Sequence, residues 1–208
     1  MKKIYFNDKY GLTQAVLDGR KTMTRRMIKP KYGCSIEKII IGSRNVYYFK
    51  NSNINEHGII SGVPVSNFDG FVLEKAPYQV GEIVAIAQNY KDANVTLLDY
   101  LKATNNKGKG YDKGCSNKEF VKAELMPHQI KITDIHIERL QDISDADCIK
   151  EGVSTAETPD GLLYYTDASS QAYSTPQQAF AILIDKVGSR GTWESNPYVA
   201  VYSFILAD

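Results

Sequence analysis

The segment "NPYVAVYSFILA", residues 196 to 207, constrains the fold more than any other stretch, because both of its alternating faces are apolar. Side chains on a strand point to opposite faces in turn, so such a segment reads as a strand covered on both sides. "HQIKITDIHIERL", residues 128 to 140, carries a second constraint. Ile130 and Ile132 keep one parity and Ile135 and Ile137 the other. That one-residue slip at Thr133–Asp134 is what a β-bulge does to a long strand.

The remaining elements follow from local chemistry. "KIYF" suits a short first strand, and Asn7 or Asp8 is placed to cap a helix through "YGLTQAVLDG" that stops at Gly19. "KTMTRRMI" alternates as an extended segment up to Pro30. "IEKIII" and "NVYYFK" flank "GSR" as a hairpin, followed by a Gly/Ser/Asn-rich stretch. "VGEIVAIAQNY" is a strand entered through a turn at Gly81. "VTLLDYLKAT" reads as a short helix and "NNKGKGYDKGCSNK" as a polar, glycine-rich loop. That loop lacks the spacing of a phosphate-binding loop.

"SDAD", residues 144 to 147, opens a short helix ending at Gly152, and "TPDGL" is a turn closed by Gly161 before "GLLYYT". In "TPQQAFAILIDKVG", Thr175 caps a helix, Pro176 takes its first position and Gly188 ends it. Phe180, Leu183, Ile184 and Val187 form one face of that helix. Asn196-Pro197 sets the turn into the last strand. Strands outnumber helices and show no βαβ rhythm. The expected fold class is therefore α+β, a mixed barrel or curved sheet with peripheral helices in one domain.

The net charge of +1 rules out a polycation, so any affinity for nucleic acid must come from local clustering. Cys34, Cys115 and Cys148 are odd in number and far apart, which argues against a disulfide framework and a zinc site. His57, His128 and His136 lack metal-ligand spacing. No apolar run reaches the ~18 residues of a membrane span, and the start is too short in apolar residues for a signal peptide, so the expectation is a cytoplasmic protein with no membrane partner.

The best basic cluster is "DGRKTMTRRMIKP", residues 18 to 30, which has no acidic residue after Asp18. Within it, "GRKTMTRR" resembles the G-x-K-x-x-[ET]-x-R signature of the ASCH superfamily. Three further blocks resemble the bacterial and phage-encoded branch of that superfamily in the same order: "YQVGEIVAIAQNY", "ITDIHIERLQDISDADCIKEGV" and "GTWESNPYVAVYSF". The resemblance covers about half the chain. It implies a single PUA-like β-barrel over residues 1–208, with insertions at 31–76 and 91–125, about which it says nothing further.

Two functions follow from the resemblance. One branch of the superfamily hydrolyses the acetyl amide of N4-acetylcytidine with a lysine base, a threonine nucleophile and a glutamate acid. In this chain those roles fall on Lys21, Thr24 and Glu151. The other reading is a non-catalytic module that binds RNA or a nucleotide through Arg25, Arg26 and the basic strip. No metal or organic cofactor is implied by either. Where the phage-type branch reads "VRET" before an aromatic, this chain has "IAQNY". Ala87 and Gln88 thus replace an arginine and a glutamate, leaving the amides of Gln88 and Asn89 to read a base edge. Tyr90 and Trp193 are candidate stacking platforms, with core packing as their alternative.

The residue chemistry suits the first reading. A threonine hydroxyl needs a base to take its proton, and a lysine serves as one only where burial or nearby cations lower its pKa. Arg25 and Arg26 are such cations. Glu151 stands in the last turn before Gly152, where a helix dipole disfavours an anion and suits the group to hold a proton. Lys21 and Thr24 are three residues apart, so a regular strand sends them to opposite faces. They converge only if Lys21 belongs to the turn after Gly19 or a bulge intervenes. On the extended segment, Arg25 and Arg26 alternate, so one at most is expected to point inward, which leaves the other free for phosphate or solvent.

Overall fold

The computed structural model describes residues 1–30, 34–41, 43–51, 57–60, 63–66, 68–74, 76–105, 109–159 and 161–207. Strand β1 (Lys3–Ile4) leads through a 3-10 turn into helix α1 (Leu12–Leu17). Neither Asn7 nor Asp8 caps α1. Gly11, at φ 63°, stands at its N-cap, while the Asp8 carboxylate is taken up by Thr13 and Lys118. After Gly19 the chain extends into β2 (Met23–Met27).

The hairpin read from "IEKIII" and "NVYYFK" is β3 (Cys34–Ile41) and β4 (Arg44–Asn51), antiparallel from Cys34 opposite Asn51 to Ile41 opposite Arg44. Its turn residue 42, and positions 52–56, 61–62 and 67 of the polar stretch that follows, lie outside the described residues. Within that stretch β5 (His57–Ile60) pairs with β6 (Val63–Ser66), and β7 (Phe68–Phe71) pairs with β4.

Strand β8 (Ile83–Ile86) follows the turn at Gly81. Helix α2 (Leu97–Ala103) is closed at its start by Thr96 and Asp99 in a capping box. The "NNKGKGYDKGCSNK" stretch, expected as loop, contains helix α3 (Tyr111–Ser116), while its residues 106–108 lie outside the described set. Tertiary packing explains this helix. Gly114 lies under the Tyr90 ring so closely that a Cβ there would sit 2.2 Å from Tyr90 Cε2. Tyr111 stacks on Tyr90 at 5.5 Å and 10°, and Tyr100 meets Tyr90 edge-on at 5.6 Å. Together with Val95, Val121 and Met126 these tyrosines form a small core of their own.

Then come β9 (Gln129–Arg139) and α4 (Asp145–Lys150), the latter capped by Ser144. Next are the hairpin β10 (Ser154–Thr158) and β11 (Gly161–Tyr165), whose turn residue 160 is outside the described set. Helix α5 (Pro176–Val187) has Thr175 as its cap and Pro176 at its first position. Short helix α6 (Thr192–Ser195) ends at Asn196, which is left-handed at φ 42° and turns the chain into β12 (Tyr198–Leu206).

The principal sheet runs β1-β8-β9-β12-β2, and its pairs are antiparallel except for β1 with β8. β12 lies between β9 and β2 and is covered on both faces, which explains its apolarity: Val199 and Val201 on one face and Tyr202 and Phe204 on the other are all buried. The parity slip in β9 is a bulge. Ser203 pairs with Asp134 and Phe204 with Ile132, leaving Thr133 over. Among the described residues no ladder joins the two edge strands, β1 and β2. The Arg26 guanidinium bridges them, donating to the Tyr5 carbonyl just past β1. Leu12 and Val16 of α1 and Phe180 and Leu183 of α5 cover the sheet, while Val187, assigned to the same face, is 36% exposed near the end of its helix.

No described helix is long and apolar enough to cross a membrane. The three cysteines are free thiols. Among the described residues no group of His, Cys, Asp and Glu side chains is arranged to hold a metal ion.

The fit of Gly114 beneath Tyr90 has a measurable consequence. Gly114→Ala is expected to lower stability by about 1–3 kcal/mol, because the new methyl must displace a fully buried ring. Thermal unfolding followed by near-UV circular dichroism checks this, and an unchanged melting temperature with an unchanged tyrosine spectrum would contradict the packing.

Candidate active site

The "GRKTMTRR" segment is held against the end of α4 by its backbone. Gly19, left-handed at φ 73°, ends α1 by donating to the Val16 carbonyl, and Lys21 N then donates back to Ala15 O at 2.8 Å. One residue on, Thr22 N donates to Lys150 O at 3.0 Å, which ties the entry of β2 to the last turn of α4. Lys21 therefore belongs to the turn and only Thr24 to the strand. This removes the parity conflict, and both side chains line one cavity together with Glu151.

All three residues are withdrawn from solvent: Lys21 is 2% exposed, Thr24 5% and Glu151 4%. Lys21 Nζ donates to Glu151 Oε2 at 2.6 Å and to the Glu151 carbonyl at 2.7 Å. The second bond satisfies a carbonyl left over at the helix end. Gly152, at φ 105°, makes the turn that follows, and its α-carbon faces Leu12 and the Lys21 stem.

Burial is the first cause that holds Lys21 below the ordinary lysine value of 10.5. Glu151 opposes the shift, and Arg26 and Arg25 add to it. The neighbouring thiol is no rival nucleophile at neutral pH, since burial pushes Cys148 up to about 12.

Arg25 and Arg26 do alternate across β2, yet both are engaged by the protein, which corrects the expectation that one would be free for phosphate or solvent. Arg25 is opposite Val201, which is itself opposite His136, so Arg25 and His136 share one row across three strands. Glu138 lies two residues from His136 on the same face. Arg25 Nε donates to Glu138 Oε1 at 2.8 Å and Nη1 to Glu151 Oε1 at 3.1 Å, with Asp147 Oδ2 3.6 Å from Nη2. A chain of alternating charge thus runs from half-exposed His136, whose Nε2 is 3.5 Å from Glu138 Oε2, through Arg25 and Glu151 to Lys21. Arg26 is half-buried over the Phe6 ring at 5.7 Å.

The cavity around Lys21, Thr24 and Glu151 has a volume of about 50 Å³, and Phe180 and Leu183 of α5 form part of its wall. That is room for one or two water-sized groups, at ~30 Å³ each. Tyr5, Phe6, Asn7, Arg26 and Val187 line both this cavity and a second, larger one of about 480 Å³. Asn117, Lys118 and Glu119 form part of the outer wall. A small inner chamber therefore adjoins a vestibule large enough for a nucleoside.

The other candidates lie elsewhere. Tyr90 is fully buried and stacked by Tyr111, so no ring face is open to a base. Trp193 meets Phe180 edge-on at 6.1 Å, on none of the surfaces of these two chambers. Gln88 is buried with its backbone N–H on Met126 Sδ, and Asn89 bonds Asp92 in a local turn. Neither amide lines the two chambers.

Sequence reasoning passed over Asp147 and Glu138. The first stands four residues before Glu151, a helical spacing that marks a shared face. Glu138 is recognisable only from strand register. The vestibule residues Asn7 and Lys118 carried no local signal.

Two measurements test this geometry. Glu151→Gln is expected to cost about 3–5 kcal/mol, because it leaves the buried Lys21 ammonium without its carboxylate, and Lys21→Met less, because Arg25 still bonds the Glu151 carboxylate. The double variant is expected to cost clearly less than their sum, and additive losses in denaturant unfolding would dissolve the pair. His136 titrates higher than its ordinary 6.5, first through its bond to Glu138 and also through Asp134, against burial. A group raised on folding adds stability below its unfolded value and loses it as pH rises through the folded one. His136→Asn is therefore expected to destabilise at pH 5.5 and to converge on wild type by pH 9. A pH-independent difference would exclude the linkage.

No family model, curated protein or solved structure matches this chain.

Proposed function

We propose that the protein is an amidohydrolase of the ASCH type that deacylates an N-acylated pyrimidine nucleoside such as N4-acetylcytidine. One observation carries the reading: Lys21, Thr24 and Glu151, distant in sequence and solvent-excluded, line one cavity in which the ammonium and carboxylate are 2.6 Å apart. The acetyl group enters the inner chamber and the nucleoside occupies the vestibule.

Burial leaves the Lys21 proton loosely held, which suits the reaction. Once it has lost that proton, Lys21 is a neutral amine able to take the Thr24 hydroxyl proton as Oγ attacks the acetyl carbon. Arg26 supplies positive charge beside the resulting oxyanion. The proton taken from Thr24 then passes from Lys21 through Glu151 to the departing N4 amine as the C–N bond breaks, releasing cytidine and leaving acetyl-Thr24. Water attacks that ester, Lys21 and Glu151 manage its protons, and acetate leaves. Every step uses groups of this chain and water.

The same reading treats the chain as one PUA-like barrel with insertions at 31–76 and 91–125. Its support is the five-stranded sheet whose two edges Arg26 bridges. The substrate is a nucleoside, free or in RNA. Binding without turnover is the weaker reading, because Arg25 and Arg26 already have partners inside the protein.

Incubating the protein with N4-acetylcytidine and separating the products by chromatography tests the proposal. Cytidine release is expected in wild type and Thr24→Ser, with Thr24→Val reduced by at least about 100-fold. Because the base must be neutral, kcat/KM rises with pH through the depressed lysine value and then levels off. Undiminished release by Thr24→Val would remove Thr24 from the chemistry, and absence of release by wild type would remove the activity.

A further inference from the structure

On the other side of Arg26 lies a third cavity, of about 200 Å³, shared by neither Lys21 nor Thr24. It opens between the principal sheet and the segment after β7, with Phe49, Val72 and Pro77 as apolar walls. Its polar lining is one-sided. Arg26, Lys29 and Tyr202 line it, and among the described residues no aspartate or glutamate does.

Two of those groups are unsatisfied. The Tyr202 hydroxyl and Arg26 Nε are both buried without a hydrogen-bond partner. Tyr202 is fully buried, and its ring is held edge-on against Tyr78 at 5.5 Å. Its hydroxyl hydrogen has no acceptor among the described residues. Burial also pushes this phenol up to about 12, which keeps the hydrogen in place at neutral pH. Leaving a buried donor unpaired is costly, and such groups are rare in folded proteins. Two of them on one cavity mark a place where acceptor atoms are missing.

We propose that this cavity is a binding site for a small organic carboxylate with an apolar body. The carboxylate oxygens accept from Tyr202 Oη and Arg26 Nε, with Lys29 Nζ at the mouth adding charge, and the hydrocarbon lies against Phe49, Val72 and Pro77. An anion is required because two of the three groups are cations and neither of those can accept a hydrogen bond. The apolar walls select against a bare inorganic ion. The site goes beyond the proposed hydrolysis and does not need it.

Thermal unfolding of the full chain at constant ionic strength tests the site, with sodium benzoate as the probe and benzyl alcohol as its uncharged counterpart. Benzoate is expected to raise the melting temperature of wild type by roughly 5 °C near saturation. Tyr202→Phe removes only an unpaired hydroxyl, so the variant itself should fold with unchanged or slightly higher stability. Its response to benzoate should fall at least about threefold, and benzyl alcohol should shift neither protein. A benzoate response that survives in Tyr202→Phe, an equal response to benzyl alcohol, or no response in wild type would each overturn the site. Because the readout is unfolding, failure here leaves cytidine release untouched, and failure of cytidine release leaves this result standing.

Discussion

An ammonium and a carboxylate in contact at 2.6 Å, both almost completely removed from water, are the interaction on which this structure turns. Stripping two charges of solvent costs several kcal/mol each, and their mutual attraction offsets that cost only when geometry and further hydrogen bonds are good. The fold meets that demand with a set of unrelated elements. The turn after α1 presents Lys21, the end of α4 presents Glu151, and Arg25 of β2 reaches across Val201 towards Glu138 of β9. A backbone bond from Thr22 to Lys150 fixes the distance between the first two. The charges are therefore buried as an alternating chain, and no member of it is left alone in the interior.

That arrangement changes the meaning of the basic cluster. As a stretch of chain, residues 18 to 30 look like a grip for polyanions. In the fold, Arg25 is a counter-ion that orders Glu138, Asp147 and Glu151, and Arg26 is a clasp between the sheet's two edges. What is left for a ligand is small and shaped. An inner chamber holds an amine, an alcohol and an acid, a vestibule adjoins it, and a third cavity carries unpaired donors. Arg26 borders all three, so the cation that closes the sheet also partitions its cavities.

Periodicity and capping carried much of the architecture. The parity slip at Thr133–Asp134 is a bulge, the caps at Ser144 and Thr175 are made by the residues whose chemistry suits them, and the doubly apolar final strand lies between two others. Such features are local: a hydroxyl reaches an N–H three residues away whatever the rest of the chain does. Reading failed where distant packing overruled local preference. A glycine-rich segment became α3 because Gly114 fits under Tyr90, and Tyr90 lost its open face to Tyr111. Asp8 gave up its capping role because Lys118, over a hundred residues away, claims its carboxylate.

The sequence by itself determined which segments extend, which coil, and which residue types are available for chemistry, because side-chain parity, caps and turn glycines act within a few residues. Only the tertiary structure decided which of those residues meet. Lys21 and Glu151 are 130 positions apart, and nothing in either neighbourhood encodes a 2.6 Å contact. It arises because strand order places β2 beside β12 and the chain end of α4 against the turn after α1. The same placement removes water, and the removal of water turns an ordinary lysine into one whose proton is loosely held.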